Sequence, residues 1–366
     1  MTPTTTDAPA SATSSGPAAT IMIGEVPVGR DHPPFIIAEM SGNHDGSLDK
    51  ALEIVRAAAQ AGAHAIKLQT YTADTITIDV DSEDFRLSDD HPLWGGRTLH
   101  DLYEEAHTPW EWHQPIFELA RELGLLAFSS PFDPTAVDFL ESLDVPAYKI
   151  ASSEIVDLPL VRLAAATGKP IIISTGMASV AEIHAAVEAA RSVGNDQIVV
   201  LSCTASYPAD PAASNLRGIP VMADAFATPI GLSDHTMGIG AAVASVAFGA
   251  VLVEKHVTIS REEGGVDSDF SLEPDELAAL VAETRTAWQA LGAPRIGATA
   301  SEREGLRFRR SLYVVADVRA GDLVSPSNVR SIRPANGLAP DDYGLLEGRP
   351  FSRDVPRGTA MSWNLV

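Results

Sequence analysis

Eight short apolar, β-rich runs recur along the chain, each followed by a helical pattern, and this alternation most constrains the fold. In order they are Phe35–Ala38, His64–Thr70, Leu125–Ser129, Ala147–Ala151, Pro170–Ser174, Gln197–Ser202, Pro229–Ser233 and Val251–Glu254. Strands that alternate with helices pair in parallel, because each crossover returns the chain to the same edge direction. Eight units of such regularity predict a closed TIM (β/α)8 barrel rather than an open doubly wound sheet. The first helix shows the local logic. Leu48, Leu52, Val55 and Ala59 repeat at spacings of three and four, Ser47 is placed to cap the N-terminus, and Gly62 lies just past the C-terminus.

The pattern changes after Trp288. Residues 292–305 read as a linker, and residues 306–366 as a small mixed domain with short strands, Pro/Gly turns and a helix-like stretch at Ser325–Asn328. The barrel is expected over residues 21–291. Residues 1–20, rich in Thr, Ser, Ala and Pro, lack the basic and apolar segments of a leader and are expected to be a disordered tail. Thr236 to Val253 carries no charge, yet glycines interrupt it and charges flank it, so it reads as a buried helix at Ile239–Phe248 and not a membrane span. A net charge of −23 over 366 residues argues against nucleic-acid binding and requires any anionic substrate to meet a locally positive pocket. The single cysteine, Cys203, excludes an intrachain disulfide and fits a cytoplasmic protein.

In a parallel barrel the reactive groups come from the C-terminal ends of the strands. Here those ends carry Glu39, Lys67, Gln69, Ser129, Ser130, Lys149, Ser152, Glu154, Ser174, Ser233, His235, Glu254 and His256. Alternation puts Lys67 with Gln69, Ser233 with His235, and Glu254 with His256 on common faces, and sends Lys255 to the opposite face. Two lysines inside apolar strands need partners, and an anionic ligand is one. The serines at four strand ends can donate to phosphate oxygens. His235 and His256 reach the same end of the sheet, where two imidazoles would leave positions open for water and substrate oxygens on a catalytic metal. A structural zinc site would require cysteines the chain lacks. The apolar setting of Cys203 suggests packing.

Several segments together resemble the sialic acid synthase family: Ile36-Ile-Ala-Glu-Met-Ser-Gly-Asn-His44, Lys67-Leu-Gln69, Phe128-Ser-Ser-Pro-Phe132, Lys149-Ile-Ala-Ser-Ser-Glu154, Ser174-Thr-Gly-Met177, Ser233-Asp-His-Thr236 and Glu254-Lys-His256. Arg309-Arg-Ser-Leu312 through Arg333-Pro334 resembles that family's C-terminal antifreeze-like (SAF) domain. Tyr103 to His113, Gly264 to Pro274 and Cys203 to Pro208 are most similar to its pseudaminic acid branch. Ala205 stands where the N-acetylneuraminate enzymes tend to carry asparagine.

The resemblance implies condensation of phosphoenolpyruvate with an acetamido sugar aldehyde, giving a nine-carbon 2-keto acid and phosphate. The sugar of the pseudaminic branch is 2,4-diacetamido-2,4,6-trideoxy-L-altrose; an N-acetylmannosamine-type sugar, as in N-acetylneuraminate or legionaminic acid synthesis, is the alternative. The resemblance further implies Mn2+ or Mg2+ on His235 and His256, and phosphoenolpyruvate on Lys67, Lys149, Ser130, Ser152, Ser174 and Ser233. Gln69, Glu154, Tyr207 and Asp267 would address the sugar, and Arg333 would reach the sugar in the partner subunit of a domain-swapped homodimer. Glu39 or Glu154 would act as general base, with neither singled out. Two other classes of activity compete. The same barrel could serve another phosphoenolpyruvate-condensing enzyme, or an aldolase that forms a Schiff base on Lys149 or Lys67. An ice- or sugar-binding protein is disfavoured by Arg309, Arg310, Arg330 and Arg333 in the small domain, since ice binding calls for flat, threonine-regular surfaces.

Overall fold

The computed structural model describes residues 20–88, 95–294 and 296–366; most of the expected N-terminal tail, residues 1–19, lies outside the described residues. A short antiparallel hairpin comes first, β1 (Ile21–Ile23) with β2 (Val26–Val28). Eight parallel strands follow: β3 (Phe35–Glu39), β4 (Ala65–Thr70), β5 (Leu126–Pro131), β6 (Tyr148–Ile150), β7 (Ile171–Ser174), β8 (Ile198–Cys203), β9 (Ile230–Asp234) and β10 (Leu252–His256). They form a closed barrel in sequence order, β10 pairing with β3. Each of the eight expected runs is a strand. The last runs two residues further than the apolar pattern suggests, because its ladder on β3 continues through Lys255↔Ala38 to His256↔Glu39.

Helices cover the outside, and their ends follow local chemistry. The helix Leu48–Ala61 is capped by the Ser47 hydroxyl, which accepts from the Lys50 amide at 3.3 Å, and ends at Gly62 in the left-handed region (φ 81°). The uncharged stretch after Thr236 gives the short helix Gly240–Ala247. Among the described residues no helix is long and apolar enough to cross a membrane. The hairpin packs Ile21, Ile23 and Val28 into the main core, with Gly24 against Leu126 at the start of β5. It therefore covers the N-terminal end of the barrel and leaves the other end for chemistry.

Alternation within the strands sorts side chains between the barrel interior and the helix layer. In β4, Ile66 and Leu68 join the apolar core, whereas Lys67 and Gln69 point inward, where side chains from β3 and β10 meet them. Gly231 in β9 has no room for a side chain: a Cβ there would lie 2.6 Å from both Leu201 Cδ2 and the Leu252 carbonyl oxygen. Lys255 does face away from Glu254 and His256, as its alternation requires. It is nonetheless fully buried, with its ammonium 2.8 Å from Asp234 Oδ2 on the neighbouring strand and also donating to the Thr236 carbonyl. Asp234 in turn accepts the Thr236 amide at 3.0 Å.

A second compact unit begins at Ala293. All described residues from 292 to 310 are exposed. Beyond them β11 (Ser311–Val314) pairs antiparallel with β12 (Val329–Ile332) around a small core of Leu312, Val314, Val324, Val329, Leu346, Phe351 and Met361. Ser325–Asn328 is a single turn and not a helix. The Asn328 side chain accepts from the Ser325 amide, and the Asn328 and Val329 amides both return to the Ser325 carbonyl, which leads directly into β12.

The Asp234–Lys255 pair gives a direct test of the outer layer. Asp234→Ala leaves a buried ammonium without its carboxylate and should cost about 3–5 kcal/mol in denaturant unfolding. Adding Lys255→Met in the same chain should restore most of that loss; a double variant no more stable than Asp234→Ala would refute the pairing.

Candidate active site

Barrel closure assembles a buried charge cluster from strands that are far apart in sequence. The Lys67 ammonium lies 2.5 Å from Glu39 Oε2, 3.8 Å from Glu254 Oε1 and 3.4 Å from the Ser130 hydroxyl. Lys149 from β6 reaches the same Glu254 oxygen at 3.4 Å, and Ser233 donates to it at 3.3 Å. The registers account for these meetings: Glu39 is opposite Lys67, Gln69 opposite Ser130, and Glu254 opposite Ser233. Burial alone would push Glu254 up, but Lys149 and Lys67 outweigh it and hold the carboxyl below its usual range. Glu39 behaves oppositely. Burial carries it up to about 7 against the pull of Lys67, and the Glu254 charge adds to the rise. Burial, reinforced after Glu254's opposing pull by the neighbouring Lys67, lowers Lys149. Two ammonium groups thus face two carboxylates, of which Glu254 is shifted toward its ionised form and Glu39 toward its neutral one.

His235 and His256 stand side by side above this cluster, ring centroids 5.3 Å apart, with Tyr207 4.5 Å from His235 and Phe270 5.0 Å from His256. His235 Nδ1 bonds the Thr204 carbonyl at 2.9 Å. A carbonyl only accepts, so Nδ1 holds a proton; burial would lower the His235 pKa, but Cys203, the Thr204 carbonyl and Glu254 outweigh it and the net shift is upward. His256 Nδ1 is buried without a hydrogen-bond partner, and Asp267 Oδ2 is 3.9 Å away. Burial, with His235 and three lysines nearby, drives the His256 pKa far down, so this imidazole is neutral. Among the described residues no group of three or more His, Cys, Asp or Glu side chains is placed to hold a metal. The donors that do fit one are the two imidazoles, one with an orphaned buried nitrogen, and further positions would fall to water and substrate oxygens.

Cys203 is not mere packing. It ends β8 at the site, accepting from the Ser152 hydroxyl at 3.5 Å. Burial would raise its thiol, but His235, joined by Ser152 and Lys149, offsets this and the net shift is downward. Ser152 is held close by the strand-end loop after β7, where a Cβ on Gly176 would lie 2.4 Å from that of Ser152. Ser174 is buried with its hydroxyl unpartnered.

The loops after β3 and β10 are tied together. Asn43 Nδ2 donates to the Val257 carbonyl and to the Ser271 hydroxyl, both at 2.8 Å, and Ser271 donates to the Asp267 carbonyl at 2.6 Å. Gln69 donates to Glu39 at 3.2 Å and to Ser41 at 3.0 Å. Behind β4 and β5, Thr70 links His113 at 2.8 Å to Ser129 at 2.6 Å, anchoring the helix Trp110–Glu122. Above these groups opens a cleft of about 340 Å3 lined by Gln69, Ser152, Glu154, Tyr207, His256 and Asp267, together with Tyr71, Leu87, Leu99, Leu102, Tyr103, Phe132 and Val266. Burial raises Glu154 to about 7 and Asp267 above its usual range.

The residues expected at strand ends thus gather in the first unit: Glu39, Lys67, Ser130, Lys149, Ser233 and Glu254 in the charge cluster, and Gln69, Ser152, Glu154 and His256 around the cleft, which Tyr207 and Asp267, expected from the resemblance, also line. Arg333 belongs to the second unit, just after β12. Missed from sequence were Ser41, Tyr71 and the apolar wall from the long β4 loop. The signal available was that loop's length, since long loops at the C-terminal end of barrel strands commonly carry function.

A closed parallel barrel with paired lysines and imidazoles at its strand ends is a TIM barrel whose polar groups converge at the C-terminal end of the strands. The chain belongs to the NeuB family, which matches residues 54–295, and carries a SAF domain at residues 309–366. It is 44% identical to the pseudaminic acid synthase of Campylobacter jejuni over 90% of this chain and 96% of that protein. It is 38% identical to the pseudaminic acid synthase of Helicobacter pylori over 90% and 97%. Among solved structures, N-acetylneuraminic acid synthetase from Leptospira borgpetersenii, in complex with citrate, matches with a TM-score of 0.71 at 32% identity, covering 81% of this chain and 98% of that one.

The raised Glu154 pKa has a stability consequence of definite sign. Its folded value, about 7, exceeds its ordinary 4.5, so the folded protein binds this proton more tightly. The associated stabilisation is complete below about pH 4.5 and is lost as pH rises through 7. Glu154→Gln removes that dependence. The variant should gain roughly 2–3 kcal/mol relative to the parent between pH 4.5 and pH 8 in urea unfolding. A difference that does not change with pH would contradict the raised value.

Proposed function

We propose that the protein is a pseudaminic acid synthase, condensing phosphoenolpyruvate with 2,4-diacetamido-2,4,6-trideoxy-L-altrose to give pseudaminic acid and phosphate. The observation that carries this is the pair of buried lysines, Lys67 and Lys149, sharing Glu254 directly beneath two imidazoles. Similarity to two pseudaminic acid synthases selects the sugar. Lys67 and Lys149 offset phosphate and carboxylate charge in a dry pocket where each interaction is strengthened. Ser130, Ser152, Ser174 and Ser233 add hydroxyl donors, the unpartnered Ser174 hydroxyl being free to do so. Gln69, Glu154, Tyr207 and Asp267 line the cleft or its floor and orient the sugar.

The enol carbon of phosphoenolpyruvate attacks the sugar aldehyde carbon, and positive charge develops on the carbon bearing phosphate. Water adds there, and the tetrahedral species loses phosphate by C–O cleavage. A bound Mn2+ or Mg2+ held by His235 and His256 would supply Lewis acidity toward the aldehyde oxygen. Glu39 and Glu154, both near neutral pKa, are suited to proton transfer at physiological pH: Glu39 on the side of Lys67, Glu154 on the side of the sugar. Arg333 completes the sugar site from a second copy of the chain in a domain-swapped homodimer, working in the cytoplasm.

Purified protein should release phosphate from phosphoenolpyruvate with the diacetamido altrose and far less with N-acetylmannosamine. Chelation should stop turnover, and so should His235→Ala or His256→Ala in folded protein. Full activity in either variant would remove the metal site; borohydride trapping of a lysine adduct would instead indicate a Schiff-base aldolase. Arg333→Ala should raise KM for the sugar at least tenfold, the scale of one lost charge-assisted hydrogen bond, with KM for phosphoenolpyruvate unchanged. Equal KM values for the sugar would exclude its part in binding.

A further inference from the structure

The ladder between β9 and β10 ends at one rung, Asp234 opposite Lys255, and the next residue on each strand is an imidazole. Past that rung the two histidines are anchored away from each other. His235 is held from the β8 side, its carbonyl accepting the Ala209 amide at 2.9 Å and its Nδ1 donating to the Thr204 carbonyl at 2.9 Å. His256 is held by the loop that follows it and by β3. Its carbonyl accepts the Leu272 amide at 2.8 Å, and the next amide, that of Val257, donates to the Glu39 carbonyl at 2.9 Å. A polar link crosses from one histidine to the other on the outer face of the strands. There the Lys255 ammonium donates to Asp234 Oδ2 and to the Thr236 carbonyl, while Asp234 Oδ1 accepts the Thr236 amide. Lys255 thus grips the residues on both sides of His235 and is itself the neighbour of His256. Asp234, Thr236 and Lys255 are none of them more than 4% exposed, so water does not compete for these bonds.

Two imidazoles serve one ion only within a narrow spacing, because metal–nitrogen bonds are about 2 Å long and a short displacement of either ring breaks one. Groups behind the ligands that fix their orientation therefore add to metal affinity without touching the metal. We propose that Asp234 and Lys255 are positioning residues for the divalent metal: from outside the barrel interior they set how far apart His235 and His256 stand. The proposal rests on the metal-binding role given to the two imidazoles above and adds the groups that hold them in register. An apolar pair could fill the same space but could not hold the Thr236 backbone, so the loss of metal affinity should be separable from any loss of stability.

The test follows Mn2+ binding to the full-length protein by the paramagnetic resonance signal of the free ion, together with phosphate release at increasing Mn2+. In the double variant Asp234→Ala/Lys255→Met no buried charge is left unpaired, and its Kd for Mn2+ should rise roughly ten- to a hundredfold. Asp234→Asn, which keeps an oxygen for both donors, should show a smaller rise. Because both imidazoles remain, excess Mn2+ should return most of the turnover in either variant. Leu140→Ala opens a cavity in the core beneath the helix Pro134–Ser142, destabilises the barrel away from this link, and should bind Mn2+ as the wild type does. Wild-type Mn2+ affinity in both Asp234 variants overturns the positioning role. So does an equal loss of affinity in Leu140→Ala, and so does turnover that excess Mn2+ fails to restore. A wild type that binds no Mn2+ overturns the metal-binding role of the imidazoles, and the proposal with it.

Discussion

Everything at the reactive end depends on how the last barrel strand is set against the first. The β10–β3 ladder places His256 opposite Glu39 and Glu254 opposite Ile37, while β9 on the other side sets Ser233 against Glu254. Because side chains alternate, that register decides at once which groups look into the barrel. Glu254 then falls between two lysines that come from β4 and β6, strands with which β10 shares no hydrogen bond. The charge cluster is a product of closure and could not form on an open sheet of the same strands.

Burial gives the cluster its electrostatic character. Four ionisable groups share a site from which water is largely excluded, and each can carry its charge only with the help of its neighbours. Glu254, flanked by two ammonium groups, remains ionised, whereas Glu39, with one close lysine and a competing carboxylate, sits near neutrality. A net charge of −23 spread over the whole chain is therefore no obstacle to receiving an anion. What matters to a substrate within the barrel is the local balance, since exposed charges farther than a Debye length are screened.

Much of this was legible in the sequence, for a physical reason. Parallel strands buried on both faces must be apolar, so a lysine or glutamate inside one is conspicuous; that is why Lys67, Lys149 and Glu254 stood out before any coordinates. Residues whose role depends on distant packing were not legible. Cys203 follows an apolar run and reads as core, yet closure sets it beside Ser152 at the strand ends. The hairpin of β1 and β2 has three residues per strand, too few for a periodic signal. Ser325–Asn328 has helix-compatible residues, but the Asn328 side chain caps its own turn. Leu87 lies in a loop, while Leu99 and Leu102 share one face of the short helix Leu99–Ala106; the spacing of three shows that this face is apolar, but only the fold reveals that it meets the cleft.

The outward lysine next to the reaction centre carries a consequence for how the chain finds its structure. A slip of β10 by one residue would send Lys255 into the barrel among Lys67 and Lys149, and would strand Glu254 and His256 among apolar helices. Three like charges would then crowd a dry interior with their carboxylate turned away, while Asp234 lost its counter-ion behind the strand. The neighbouring alignments are thus rejected by several interactions at once. The Lys255–Asp234 pair serves as a proofreading mark for the closing strand, and a barrel that closes with this pair made is one whose reactive groups already face the right way.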